Sequence, residues 1–300
     1  MRNKLKNYIL VFFYFFLLSK NVCANEPFVF NVTEIEILEN GNKIYGYKGG
    51  TATSEDGSTI TGENFFYNKL TNILEVEGSV EYLDKFKSTT ITSDKAIYFK
   101  NDEKIYTTGN SKAVNENNTI TSSDLQYDKI DDIFKAKENV VIKDFEKDTI
   151  IYADEITYFK KQEKIFTEGN SKGLIEKKYK FNSENLSYFR NSENLFSQKR
   201  STVEDDSGNI YKLGNFTYNI GKELLKGKEV EVLAKVEENK IDQYFFSEGF
   251  FNFKDKSHLA KETKIKIHKD VFGDKNQDPR IYGSSSLNDQ KKSVVKNAIF

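Results

Sequence analysis

The chain has 300 residues, of which 37% are hydrophobic and 14% aromatic, and its formal net charge is −1. This aromatic content is typical of a folded chain and argues against disorder. The near-neutral charge argues against a nucleic-acid binder, because such proteins neutralise phosphates with clustered Lys and Arg. With two His, one Cys and no Trp, the sequence predicts no catalytic residue, no metal site and no cofactor, and therefore no enzyme.

Residues 1–24 are predicted to form a signal peptide. Basic residues at positions 2, 4 and 6 precede an unbroken apolar run at 9–18, and small residues follow at 22–24. The apolar run is shorter than the roughly 20 residues that a membrane-spanning helix needs. Lipid attachment at Cys23 is the weaker alternative, because Val22 is not the small residue that a lipoprotein signal has at that position. Cleavage between Ala24 and Asn25 would release an exported protein into the periplasm.

A repeat of about 30 residues organises the rest of the chain. Thr-Ile-Thr occurs at 59–61, 90–92 and 119–121, and Thr-Ile-Ile follows at 149–151. A tyrosine follows each of these segments, and two later units keep the tyrosine alone. The segment Glu-Lys-Ile-Tyr-Thr-Thr-Gly-Asn-Ser-Lys at 103–112 returns as Glu-Lys-Ile-Phe-Thr-Glu-Gly-Asn-Ser-Lys at 163–172. A fixed period of this kind indicates stacked structural units.

Each unit contains the period-two pattern of a half-buried strand. An apolar residue lies two positions before each tyrosine and shares its face, whereas the residue three positions before is polar. The inward pairs are Phe65 and Tyr67, Ala96 and Tyr98, Leu125 and Tyr127, Ile156 and Tyr158, Leu186 and Tyr188, and Phe216 and Tyr218. A second strand begins six or seven residues after each tyrosine, and glycines at 78, 109 and 169 mark bulges or turns.

These units predict an all-β fold of stacked two-strand repeats. One hairpin cannot bury its own apolar face, so neighbouring units must stack. If each unit adds a strand to each of two facing sheets, the inward rows form an apolar groove. The first alternating segments have no preceding partner and are predicted to be an open edge strand that docks another chain by strand addition. The inward residues of that edge are Phe28, Phe30, Val32, Ile35 and Ile37.

The combination of Thr-Ile-Thr, the tyrosine strand and the Gly-Asn pairs at 109–110 and 169–170 resembles the OstA-like repeat of periplasmic lipopolysaccharide-transport proteins. Residues 138–139 keep only the Asn of the pair, and residues 78–79 only the Gly. The resemblance covers roughly residues 28–270. It implies an open β-jellyroll at 25–270 whose groove shields the lipid A acyl chains of lipopolysaccharide. It also implies edge-to-edge docking to other OstA-like proteins, with no nucleic acid involved.

The C-terminal residues 271–300 are predicted to be a linker followed by the start of a further β segment. Residues 278–283 and 293–300 resemble the junction into the outer-membrane assembly protein of this family, whose repeat domain leads into a β-barrel. On this interpretation the chain is a fragment associated with the outer membrane through a barrel that follows Phe300. The alternative is a stand-alone periplasmic bridge protein.

Other interpretations of the same residues stay open. The inward aromatic rows could form only the core, whether or not lipid enters. His258 and His268 are predicted to be surface residues, and residues 284–286 a linker without the turn of a serine nucleophile. A carbohydrate-active β-solenoid enzyme is the main rival function, although no acidic pair recurs at a fixed position in the repeat. A structural or adhesive role as a repeat protein is a third possible function.

The first prediction concerns processing. We expect the mature protein to begin at Asn25, because the only favourable cleavage site follows Ala24. N-terminal sequencing of protein purified from the periplasm tests this. A lipid-modified Cys23 or an intact Met1 would contradict export as a soluble periplasmic protein.

Overall fold

The structure is a computed structural model that describes residues 27–237, 240–269, 271, 273, 279–289 and 291–300. The predicted signal peptide and its cleavage site at Ala24 and Asn25 lie outside these residues. Within the described residues, the chain consists of β-strands, turns and the short 3-10 helices Glu39–Gly41, Lys160–Gln162 and Arg190–Ser192. This confirms the predicted all-β class.

The strands fall into three groups along the chain. The N-terminal group is β1 (Phe28–Leu38), β2 (Lys43–Ser54), β3 (Thr59–Gly62), β4 (Asn64–Asn68), β5 (Ile73–Asp84), β6 (Thr89–Phe99), β7 (Lys104–Val114), β8 (Asn118–Asp128), β9 (Ile133–Asp144) and β10 (Thr149–Phe159). The middle group of shorter strands is β11 (Lys164–Glu168), β12 (Ser171–Ile175), β13 (Tyr179–Ser183), β14 (Ser187–Phe189), β15 (Asn194–Ser197), β16 (Ser201–Glu204), β17 (Ile210–Leu213) and β18 (Asn215–Asn219). The C-terminal group is β19 (Leu224–Glu237), β20 (Lys240–Asn252), β21 (Ser257–Lys266), β22 (Arg280–Asn288) and β23 (Ser293–Lys296).

Antiparallel pairing between successive strands divides the sheet into two facing layers. At β10, residues 149–152 pair with β12, whereas residues 155–159 pair with β11. We call the half-strands that carry the Thr-Ile-Thr segments, such as 149–152, the threonine layer. Those that carry the repeat tyrosines, such as 155–159, form the tyrosine layer. The layers touch through their inward faces, and the rings of Tyr82 and Tyr98 lie 6.4 Å apart between centroids.

A double left-handed bulge bends the long strands from one layer into the other. In β7, Gly109 and Asn110 have φ values of 75° and 48°, and the register with the neighbouring strands shifts between Thr108 and Ser111. Glycine suits position 109, because its φ is positive and a Cβ there would lie 2.3 Å from a carboxylate oxygen of Asp94. The equivalent position of β9 is Glu138, with a φ of 62°. Asn110 Nδ2 donates a hydrogen bond of 2.9 Å to the carboxylate of Asp94. The Gly-Asn pair of the repeat is therefore the device that folds one strand into two layers.

Two features differ from the sequence prediction. In the N-terminal half, each repeat contributes long strands that bend between the layers, instead of separate short strands. Short strands occur where the bend interrupts the pairing, at β3 and β4 and in the middle group, and at the C-terminal strand β23. In addition, β22 pairs with β21, and β23 pairs with β22. The described part of residues 271–300 thus extends the same stack, while its role as the start of a barrel stays a prediction.

The second prediction concerns alkaline pH. Burial raises the pKa of the repeat tyrosines and their neighbours above the ordinary value: Tyr82, Tyr98, Tyr127, Tyr158, Tyr188, Tyr211 and Tyr218. These phenols are neutral in the folded state and ionise near pH 10 in the unfolded chain. Stability is therefore complete below about pH 10 and falls above it, by about 1.4 kcal/mol per pH unit for each such tyrosine.

The absorbance of tyrosinate, measured together with the strand circular dichroism, follows this transition. The chain has no Trp, so the signal belongs to tyrosine alone. We expect the buried phenols to ionise cooperatively as strand content is lost. A gradual titration near pH 10 of most of the 17 tyrosines, with the circular dichroism unchanged, would show that the phenols are open to solvent.

Candidate functional site

The side chains predicted to line the groove lie in a packed interior. All of them, from Phe65 to Tyr218, are at most 3% exposed. Tyr127 stacks on Phe134 with 4.4 Å between ring centroids, and Phe28 of β1 meets Tyr67 edge-on at 5.3 Å. Over these repeats the space between the layers is filled by side chains. Lipid contact with these residues stays a prediction, and a lipid there would have to part the rings.

Four repeat tyrosines, Tyr67, Tyr98, Tyr127 and Tyr158, also close the turns that follow them. The hydroxyl of Tyr127 donates to the Asp132 carboxylate at 2.8 Å, and that of Tyr67 donates to Asn72 Oδ1 at 2.8 Å. Both acceptors follow their tyrosine by five residues and have left-handed backbones, with φ of 61° and 54°. The tyrosine thus has a structural role independent of any ligand. Its signal in the sequence is Tyr followed five positions later by Asn, Asp or Glu, which the groove prediction did not take into account.

Ion pairs close the side of the molecule opposite the bends. We call this side, formed by the turns 55–58, 85–88, 100–103, 129–132 and 160–163, the seam. Lys129, with a side chain only 5% exposed, pairs with Asp56 of the threonine layer and with Glu103 of the tyrosine layer at 3.2 Å. Burial opposes ionisation of Asp56, but hydrogen bonds from Lys129 and Ser58 outweigh it and hold the pKa of Asp56 well below its usual range.

The same arrangement continues along the seam. Lys87 Nζ donates to the backbone carbonyl of Lys129, and Lys160 Nζ donates in turn to the carbonyl of Lys87. Farther on, Arg190 pairs with Asp144 at 2.8 Å and with Glu163 at 3.2 Å. Since Asp144 and Arg190 belong to different layers, this cluster also joins the two. The interior is therefore covered by backbone at the bends and by these polar contacts at the seam.

A cavity of about 430 Å³ lies at the C-terminal end of the interior. Its wall comes from β17 and from the strands β19 to β23. Aromatic and aliphatic side chains dominate it, among them Tyr211, Phe246, Phe251, Ile265 and Val295. The volume falls within the range of about 300–1,000 Å³ that is usual for small-ligand sites. The chemistry of this wall suits a hydrocarbon ligand.

About half of the residues that line this cavity are polar, and Asp205 and His258 among them have protein partners. The Asp205 carboxylate accepts hydrogen bonds from Tyr211 OH at 3.1 Å and from two backbone amides. His258 Nε2 lies 3.4 Å from Ser286 Oγ, which accepts a hydrogen bond from Thr263 at 2.9 Å. Burial lowers the pKa of His258, so the imidazole is neutral at neutral pH. His258 therefore adds no charge to the cavity wall.

The histidine prediction was wrong for His258, which lies in the cavity wall against the ring of Phe246 at 5.4 Å. His268 pairs with Asp242 at 2.8 Å, and Asp242 also lines the cavity. The groove prediction stopped at Tyr218 and missed these residues. A signal was available, because residues 244–253 contain six aromatic side chains in ten positions. Tyr244, Phe246, Phe251 and Phe253 from this segment face the cavity.

β1 occupies the N-terminal edge of the stack. Within the described residues it pairs only with β2, so its other side offers unpaired backbone groups. Phe28 is buried, and Phe30 and Val32 pack against the core. Ile35 and Ile37 lie opposite Gly46 and Ile44 on the inward face, but they are 52% and 58% exposed. The apolar interior is thus uncovered at this end. Docking by a partner stays a prediction.

No helix among the described residues is long and apolar enough to cross a membrane. In the same part of the chain, no cluster of three or more His, Cys, Asp or Glu side chains could hold a metal ion.

Comparison with known proteins gives limited similarity. No protein-family model matches the chain, and no curated protein matches its sequence. Among solved structures, LptH from Pseudomonas aeruginosa, described as the LptA-homologous periplasmic component of a lipopolysaccharide transport device, aligns over 35% of this chain and 78% of its own. The identity is 16% and the TM-score 0.32. The WD40 domain of SCAP from fission yeast aligns at 10% identity over 92% of this chain and 91% of its own, with a TM-score of 0.14. TM-scores this low carry no argument about function.

The third prediction concerns the β1 edge. Replacing Val32 with proline removes one backbone amide and disfavours pairing at this edge. We expect the affinity for an OstA-like partner to fall at least tenfold, while the internal repeats stay folded, because each contacts mainly its neighbours. Surface plasmon resonance measures the affinity and circular dichroism the strand content. The control V32T keeps the amide and should bind like the parent. Unchanged affinity of V32P would place the docking edge elsewhere, and collapse of the fold would show that β1 cannot be altered separately.

Proposed function

We propose that this protein transports lipopolysaccharide across the periplasm by shielding the lipid A acyl chains between its two β layers. The observation that carries the proposal is the apolar interior, which is hollow at its C-terminal end. The inward rows lead along the stack toward this cavity, whose wall contains Phe246, Phe251 and Ile265. The OstA-like repeat pattern of the sequence supports the same function.

The physical requirement for such a carrier is large. An acyl chain exposed to water costs about 0.8 kcal/mol per methylene, so ten methylenes cost on the order of 8 kcal/mol. Apolar side chains of the cavity wall, such as Phe246 and Phe251, would remove much of this cost, and the protein would need to supply no chemistry. Selectivity for one particular hydrocarbon is not needed, because apolar contacts are non-directional.

Within the family, we propose that this chain is the periplasmic part of the outer-membrane assembly protein LptD, because residues 278–283 and 293–300 resemble the junction into its barrel. A stand-alone bridge protein like LptA is the alternative. In both cases the protein would be exported to the periplasm, and its β1 edge would receive another OstA-like protein by strand addition. Copurification with outer membranes after cell fractionation would favour the LptD assignment, whereas release with the soluble periplasm would favour the bridge.

The fourth prediction is the test of lipid binding. A photo-crosslinking phenylalanine analogue at Phe246, in the cavity wall, should trap lipopolysaccharide. The same analogue at Phe250 is the matched control, since Phe250 lies on the same strand but on the outer face, beside Lys226. We expect at least tenfold more product from position 246, measured by immunoblotting for lipopolysaccharide.

Further positions test how far the lipid path extends. Leu125 and Ile156 are inward residues of the packed repeats, and Asp124 and Glu155 are their outward neighbours. Product from the inward pair, but not from the outward pair, would show that lipid parts the packed rings. Product from Phe246 alone would confine the lipid to the cavity. Equal product from Phe246 and Phe250 would contradict binding between the layers.

A further inference from the structure

Large apolar side chains project from the seam turns 85–88 and 129–132 and from the turns 69–72 and 145–148, which connect the same ends of the strands. Leu70, Phe86, Ile130 and Phe145 are 73%, 88%, 62% and 64% exposed. We call these residues the apolar tips. Hairpin tips are ordinarily polar, because Gly, Pro, Asn, Asp and Ser suit tight turns. Leaving a Leu or Phe side chain in water instead of burying it costs about 1.5–3 kcal/mol. Neither the core nor the cavity uses these side chains.

The tips share one edge of the fold and come from both layers. Leu70 and Ile130 lie in turns of the tyrosine layer, and Phe86 and Phe145 lie in turns of the threonine layer. Lys87 connects the turn of Phe86 to the turn of Ile130 through the carbonyl of Lys129. Neighbouring strands are about 4.8 Å apart, so tips four strands apart within a layer are about 19 Å apart. The tips therefore form an extended row and not a single compact patch.

The turns hold the tips in defined positions. The amide of Leu70 donates to Asn68 Oδ1 at 3.0 Å, and the amide of Ile130 donates to Asp128 Oδ1 at 3.0 Å. In the turn of Phe86, the amide of Lys87 donates to Asp84 Oδ1 at 3.0 Å. These Asx-type contacts fix the turn backbone, so the side chains are presented outward without further ordering of the chain.

The charges beside the tips indicate which surface they meet. The turn of Leu70 is Lys-Leu-Thr-Asn at 69–72, and that of Phe86 is Lys-Phe-Lys-Ser at 85–88. These two turns carry three lysines and no acid, and of these lysines Lys87 is bound to the carbonyl of Lys129. The turns of Ile130 and Phe145 each contain one lysine and two acids. Bulky apolar side chains beside lysines are the features of segments that lie in the interface of an anionic membrane.

We infer that the seam edge binds a lipid surface, with the apolar tips inserted between anionic headgroups and Lys85, beside Phe86, on the headgroup phosphates. A row of separate projections can enter a fluid interface together, whereas a protein partner would need a matching pocket for each tip. This inference goes beyond the proposed function and does not depend on it, since the tips lie outside the interior that would hold acyl chains.

Sedimentation with lipid vesicles tests the inference on the full exported chain. Vesicles of phosphatidylcholine alone and with phosphatidylglycerol are compared at low and high salt. We expect binding to the mixed vesicles that weakens with salt, because screening reduces the attraction of the lysines. The variant L70S/F86S should lose at least tenfold in partitioning. The control Y106S/L259S removes one aromatic and one aliphatic exposed side chain from the outer face and should bind like the parent.

A second readout reports insertion directly and leaves the apolar character of the tips intact. The chain has no Trp, so F86W and I130W each introduce a single fluorescent reporter. We expect their emission to shift to the blue on addition of mixed vesicles, and that of Y106W to stay unchanged. Absence of sedimentation with every vesicle, or equal losses in the tip and control variants, would overturn the inference. Unaltered emission from F86W on sedimented vesicles would also overturn it.

Discussion

Two consecutive left-handed residues in the middle of a long strand are the constraint on which the rest of this structure depends. Gly109 and Asn110 show why: glycine avoids a collision with Asp94, and the asparagine amide bonds to the same carboxylate. The bend lets one strand belong to both layers, so a single antiparallel sheet encloses its own inward face. Without it, the same period-two pattern would produce a flat sheet with one unprotected apolar side.

The bend alone leaves one side open, and the repeat tyrosines and seam lysines close it. These tyrosines fill the interior with their rings, and most of them also form a hydrogen bond through the hydroxyl at the polar boundary. The buried Tyr218 hydroxyl is the exception among them and has no partner. Lys129 is nearly buried yet fully partnered by Asp56, Glu103 and the hydroxyl of Tyr98 at 3.1 Å. Burying a lysine is unfavourable unless it is paired and hydrogen-bonded. Removing one partner is therefore more damaging than the net contribution of the pair suggests.

At the C-terminal end this arrangement changes, and the interior becomes hollow. Phe251, which has no hydroxyl, pairs with Leu225 from the other side as the repeat tyrosine Tyr218 does, and the wall is completed by β22 and β23. At the opposite end, Ile35 and Ile37 leave the interior uncovered. The middle of the interior is therefore closed, whereas its C-terminal end is hollow and its N-terminal end is uncovered. Acyl chains could pass along this interior only if the packed rings separate. The lipid-transport proposal therefore includes a conformational change in the repeats.

The sequence by itself determined which residues form strands, their inward faces and the glycine bulges, because these depend on residues within a few positions of each other. The alternation around Tyr127 and the Gly-Asn pairs are local signals of this kind. The tertiary structure alone decided where the interior is filled and where it is hollow. That outcome depends on side chains distant in sequence, such as Lys129 and Asp56, which are 73 residues apart. The volume between the layers is set by how those side chains meet, and a repeat pattern contains no information about the space that remains between them.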